Sequence, residues 1–152
     1  MDSNLQQTFW TWALKRYEDR GLRECLLALQ ESCGLVVIEA LFFAWLAEQG
    51  RELKLAEVLH MEEAITPWVN RVLLPLRRER VEWSNDKAAT LLRSEALRLE
   101  LEAEKTLVAL FCEALAPPYG GADPLAHQCN LSLITSLSSS DDLDQLIDAF
   151  ER

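Results

Sequence analysis

Four groups of residues in this chain have types and spacings that could do chemistry. The first is a single carboxylate, Glu39, set inside the otherwise apolar run from Leu35 to Ala47. If buried, it would favour its protonated form and could act as an acid/base or grip a basic partner group. In a first helical turn it would instead be partly solvated or paired with an arginine, helped by the helix dipole. The second group is Glu57 and His60, a Glu-x-x-His spacing that puts both side chains on one helix face, as in di-iron carboxylate bundles. Such a site needs a second Glu-x-x-His, and the other histidine, His127, has Pro124 at the matching place. An exposed helix face is the plainer account. The third is Cys112, His127 and Cys129, which could supply zinc ligands or a thiol with its base. Core cysteines beside a loop histidine are the ordinary alternative. The fourth is the island Arg71, Arg77, Arg78 and Arg80, suited to an acidic peptide, a nucleotide phosphate or the chain's own acidic helix. Trp12 joins these candidates because it falls away from the apolar set of its helix and is expected to be partly exposed.

None of these groups completes a catalytic, metal or cofactor signature. The expectation is therefore no metal, no cofactor and no assigned catalytic residue. The candidate partner- or ligand-binding residues are Glu39, Arg71, Arg77, Arg78, Arg80 and Trp12.

The elements that must position them are helical. At 152 residues the chain is long enough to bury one sizeable core. Five glycines and five prolines are too few for an all-β fold. A first helix is expected from a cap at Ser3 or Asn4 to about Asp19, with Phe9, Trp10, Ala13, Leu14 and Tyr17 at helical spacing and Gly21 as its break. A second carries Leu22, Cys25, Leu26 and Leu29 on one face and stops at Gly34. A third, Leu35 to Gln49, is apolar nearly all round and should be central. A short helix over Leu53–His60 then leads to a longer one, Glu62 to Trp83, with Pro67 in its first turn. Pro75 falls in its interior, where the missing N–H should kink or split it. Asn85 or Asp86 should cap the longest helix, reaching Ala116 along a seam of Leu92, Ala96, Leu99, Ala103, Leu107, Leu110 and Ala114. After the loop at 117–124 come a short helix near Leu125–Leu137 and a last one capped by Ser140 or Asp141. The apolar positions of that last helix, Leu143, Leu146, Ile147 and Phe150, could dock on a partner.

Phe9-Trp10 with Ala13-Leu14 and Tyr17, Cys25-Leu26 with Leu29-Gln30, and Leu41-Phe42 with Trp45-Leu46 form an ordered pattern, continued by Trp68 and by Pro75-Leu76-Arg77. The pattern resembles a family of small uncharacterised proteobacterial proteins, a helical domain of unknown function of about 150 residues, and covers roughly residues 8–83. The resemblance implies a small all-helical cytoplasmic bacterial protein and no activity. The chain departs from the family pattern around Val36–Glu39, where relatives carry an Asp and an Asn before the LF-x-x-WL run. A polar site built on those positions would not carry over to it.

The expected fold is all-α: one domain over 1–152, a helical bundle of about six to eight helices, with 138–152 as a candidate mobile segment. The net charge of −10 lies mostly in residues 81–152, with thirteen acids against five bases. A negative field of that size disfavours direct nucleic-acid binding. The longest apolar run falls short of a membrane span, the start lacks a secretory pattern, and four scattered cysteines suit a reducing cytoplasm. The leading functional expectation is a non-enzymatic adaptor or regulator that binds an unidentified protein through a helical face. The alternatives are a small-molecule-binding protein or cryptic enzyme with an inter-helix site near Glu39, and an acidic mimic that binds a basic protein. Oligomeric state is not legible.

Overall fold

Ten consecutive residues, Ile38 to Ala47, are buried in the computed structural model. They form the body of a helix, Val37–Glu48, that shows solvent almost nothing. The structure describes residues 3–115, 130–134, 136–137 and 139–151. Among them are seven α-helices and no strand, so the fold is all-α. In chain order the helices are α1 (Ser3–Tyr17), α2 (Arg20–Cys33), α3 (Val37–Glu48), α4 (Leu55–Trp68), α5 (Leu74–Glu82), α6 (Thr90–Ala114) and α7 (Ser140–Glu151). They divide between two compact units, Met1–Val58 with Ala116–Arg152, and Leu59–Leu115.

In the first unit α3 packs against α1 and α2, and α2 against α7. Phe9 of α1 meets Phe42 and Trp45 of α3 edge-on, at ring-centroid distances of 5.4 and 5.6 Å. Such T-shaped pairs contribute roughly 0.5–1.5 kcal/mol beyond the area they bury. The break between α1 and α2 is not made by Gly21, which lies inside the first turn of α2. Asp19 makes it, accepting the Leu22 N–H at 3.0 Å as an N-cap. Gly34 ends α2 in the left-handed region (φ 74°), as expected, and its N–H returns to the Leu29 carbonyl. Leu14, placed by its spacing on the apolar face of α1, is 64% exposed. The cap of α7 is Ser139, whose hydroxyl accepts from the Asp142 N–H, and not Ser140 or Asp141. The apolar face of α7 is occupied within the chain: Leu146, Ala149 and Phe150 are buried and the helix lies on α2, so that face is not a free docking surface.

Asn130 ties the first unit together. It is fully buried, accepts the Leu53 N–H at 2.7 Å and donates to the carbonyls of Phe43 (3.1 Å) and Arg51 (2.9 Å). One side chain thus hydrogen-bonds three backbone groups, one within α3 and two in the segment after it. The short helix expected over 125–137 falls partly on residues outside those described, as do the loop at 117–124, His127 and Cys129; residues 130–132 are helical.

Most of α4 belongs to the second unit, which begins at Leu59; the helix is continuous from Leu55, so the expected break near residue 61 does not exist, and Pro67 lies near its end. The expected split at Pro75 does occur. A π-helical turn, Val69–Leu73, separates α4 from α5, and the Leu74 N–H reaches back five residues to the Val69 carbonyl. Pro75 has no N–H to give and would press on the Arg71 carbonyl in a regular α-helix, so widening the preceding turn relieves it. Two 3₁₀ turns, Trp83–Asn85 and Lys87–Ala89, reverse the chain. Asp86 caps the second of them by accepting from the Ala88 N–H, and α6 starts at Thr90, a few residues later than its expected cap implies. It runs back against α5.

Replacing Asn130 with Leu keeps its approximate shape and removes all three hydrogen bonds. We expect a loss of about 2–4 kcal/mol in urea-unfolding free energy. A change below about 1 kcal/mol would show that the pin is dispensable.

Candidate functional site

The hairpin of α5 and α6 holds three of the four arginines singled out above. Arg77 and Arg80 lie three apart on α5 and face the same carboxylate, Glu100 of α6, which is only 6% exposed. Arg80 grips it with two donors, Nε to Oε2 and Nη2 to Oε1 (3.3 Å), in the fork geometry that guanidinium provides. Arg77 Nε stands 3.7 Å from Oε1, close enough to share the charge but too far for a hydrogen bond. Burial lowers the Arg77 pKa, and Glu100 with Glu104 opposes that effect. Glu104, one turn beyond Glu100, is pushed up to about 7, first by burial and then by the charge of Glu100, with Arg77 and Arg80 pulling the other way. The result is a partly buried cluster of two bases and two acids, one of which titrates near neutrality.

The cluster shifts the expected seam of α6: Ala96, Ala103 and Leu107 are buried on it as expected, and Glu100 joins them. Counting about 100° per residue, Ala96, Glu100, Ala103 and Leu107 share the stripe turned to α5, and all four are buried. Leu92 and Leu99, expected on that seam, are 53% and 40% exposed. The physical reason lies in the arginines. They need a counter-charge on the seam, and alanines at 96 and 103 leave space for their long side chains. Leucines are displaced to either side, Leu92 and Leu99 along one edge, Leu97 and Leu101 along the other, and Leu91 outward.

Arg71 and Arg78 are not part of the cluster. Both are exposed, and Arg71 makes no ion pair with any described residue. Arg71 instead stands at a depression of about 360 Å³ whose other lining residues are Ala64, Pro67, Trp68, Val72 and Leu110. The Trp68 indole N–H is bonded to the Ala103 carbonyl at 2.9 Å, which fixes its ring as a wall.

Of the remaining candidates, Glu39, Trp12 and Glu57 belong to the first unit and His60 and Cys112 to the second. Glu39 lies in the first turn of α3, and of the alternatives left open by the sequence it is buried rather than partly solvated, and has an interaction partner. Trp12 is half-buried, with the Arg16 guanidinium 6.0 Å above its ring. The same guanidinium lies 5.6 Å from the Phe150 ring and donates to the Phe150 carbonyl at 2.6 Å, a cation at the C-terminal end of α7. Glu57 is committed to Arg51 and to the Lys54 N–H at the start of α4, while His60 is exposed. Burial, followed by the charge of Glu113, pushes the Cys112 thiol up to about 11, which leaves it protonated and a poor nucleophile. No metal-binding cluster of His, Cys, Asp or Glu occurs among the described residues. No helix among them is long and apolar enough to cross a membrane.

A family model described as a protein of unknown function, DUF2390, matches residues 8–111. The chain belongs to that family. No curated protein and no solved structure matches it. The family match extends beyond the residues 8–83 that carry the sequence resemblance and takes in the arginine–glutamate cluster, the leucine edges and the depression at Trp68. Asn130 and α7 lie outside it.

Glu100 and Glu104 escaped the sequence reading because acids on an acidic helix look like solvated surface. The available signal was their spacing: they sit one turn apart, Glu100 on the stripe of the two alanines.

Two expectations follow from the cluster. Glu100→Gln leaves two half-buried guanidiniums without their counter-charge and should destabilise the fold by about 3 kcal/mol in urea unfolding. Glu104→Gln should act in the opposite sense. The folded pKa of Glu104 lies above its unfolded value, so the folded chain holds that proton more tightly. Its ionisation therefore costs stability as pH rises from about 4.5 to about 7. The glutamine variant should match the wild type at pH 5 and exceed it by about 1–2 kcal/mol at pH 8, allowing for partial solvent screening. A pH-independent difference would contradict this assignment.

Proposed function

We propose that this chain is a non-enzymatic, cytoplasmic protein-interaction module, and that its docking surface is the Leu92–Leu99 edge of α6. The carrying observation is the exposure of Leu92 and Leu99, two turns apart on one edge of that helix, with Leu97 and Leu101 exposed on the opposite edge. Val81 of α5 adds to it at 58% exposure. Single exposed leucines are ordinary on soluble domains, whereas two aligned on one helix edge offer a partner a continuous apolar contact. Its chemistry suits an amphipathic partner helix laid along an apolar edge. Covering Leu92 and Leu99 would contribute about 1 kcal/mol each.

Other features support the reading without deciding it. Cys112 is held as the neutral thiol and Glu57 is occupied by its own helix start, so neither is set up for catalysis. Cys25, Cys33 and Cys112 form no disulfide among the described residues, in keeping with a reducing compartment. The acidic balance opposes nucleic acid as the partner.

Affinity capture from native cell extract tests the proposal, with Leu92→Glu/Leu99→Glu as the comparison. Both positions are exposed, so helix content and unfolding midpoint should stay within about 0.5 kcal/mol of wild type. A stoichiometric partner should be retained by the wild type at low and high salt and lost by the variant. Capture that disappears in high salt would favour the acidic-mimic reading instead. Equal capture by the variant would remove the leucine edge as the surface.

A further inference from the structure

We propose that the depression beside the π-helical turn binds a small apolar monocarboxylate, with Arg71 taking the carboxylate. Its walls are Ala64, Pro67, Trp68, Val72 and Leu110, and its volume of about 360 Å³ is near the lower end for ligand pockets, enough for one aromatic ring and a short chain. The lining brings one charged group, the Arg71 guanidinium, which is exposed and makes no ion pair among the described residues. Arg71 and Val72 belong to the π-helical turn, which shifts helical register ahead of Pro75 and so sets the direction from which both meet the depression. The Trp68 ring is held by its hydrogen bond to Ala103, so this wall is in place before a ligand arrives and its indole N–H is already used. What the site can still offer a ligand is apolar contact and one planar fork of donors.

That combination selects charge as well as shape. A single guanidinium matches one carboxylate in a bidentate pair, whereas a phosphate dianion would meet one cation in a chain of net charge −10. A neutral apolar molecule would leave the guanidinium unused. Because Arg71 is exposed, the carboxylate stays at the mouth in contact with water, and affinity should be modest, on the order of 0.1–1 mM. The same chemistry is found in a free aromatic or aliphatic acid and in a peptide that ends in an apolar residue.

The test uses the full chain labelled with ¹⁵N, following the Trp68 indole resonance, assigned by its loss in Trp68→Phe. The probes are 4-phenylbutyrate as the free acid, N-acetylglycyl-phenylalanine as the peptide carboxylate, and 4-phenylbutanamide as the uncharged match of the first. A saturable shift is expected with at least one carboxylate, at least about tenfold weaker with the amide. Arg71→Gln should reduce the acid to the affinity of the amide, and the exposed position leaves the fold intact. Which carboxylate binds more tightly identifies the source. The proposal is overturned if neither carboxylate gives a saturable shift at millimolar concentration, if acid and amide bind equally, or if Arg71→Gln binds the acid as the wild type does.

Discussion

A helix with no solvent-facing side can exist only inside a shell, and α3 sets this condition for the first unit. Ten buried residues in a row leave no polar stripe to face water, so neighbours must cover every side. Phe9 and Ala13 of α1 and Leu22, Leu26 and Leu29 of α2 form part of that cover, and α7 in turn seals α2. The chain leaving such a helix is buried at Gly50, Arg51 and Leu53, where its backbone polar groups must find partners without water. Asn130 meets that need by bonding a carbonyl of α3 and two backbone groups of the following segment. The apolar character of α3 and the buried amide far along the chain are one requirement expressed at two places.

The second unit is built on the opposite plan. Its α5–α6 seam uses alanine and an ion cluster where a bundle ordinarily uses leucine. Replacing buried ion pairs with apolar residues is often neutral or stabilising, so the charges are not there to maximise stability. What they fix is register. At the observed setting of the two helices Glu100 satisfies Arg80 through two donors and draws Arg77 near. A slip of one turn along α6 would bring Glu104 or Ala96 opposite Arg80 instead.

Local chemistry was legible wherever one residue decides the outcome. Gly34 stops α2 because few other residues accept a left-handed backbone, and Pro75 disrupts its helix because it has no N–H. The burial of α3 followed from composition alone. Asp19 and Ser139 were missed as caps because Gly21 and Ser140 are equally plausible by type, and only the backbone decides between neighbours. Asn130 was invisible because its partners lie 77 to 87 residues away in the chain. Arg71 was recognised as part of a basic island, but its place beside Trp68 and Leu110 depends on a change of helical register that side-chain spacing does not encode.

The failure on α6 is of another kind. Leucine and alanine recur there at regular bundle spacings, and a hydrophobic count correctly finds a helix, yet it assigns leucines to the seam that the structure turns outward. Agreement between pattern and packing is the usual state of a sequence selected only to fold, and departures from it concentrate where something other than folding was selected. Here two departures coincide on one helix: acids turned inward against arginines, and leucines turned outward to water. Either alone would be a minor irregularity. Together they bury charge at the seam and leave leucines at its edges exposed, which supports the docking edge proposed above. The depression at Trp68 lies in the same unit, so the parts of the fold least explained by stability belong to one hairpin and the helix that leads into it.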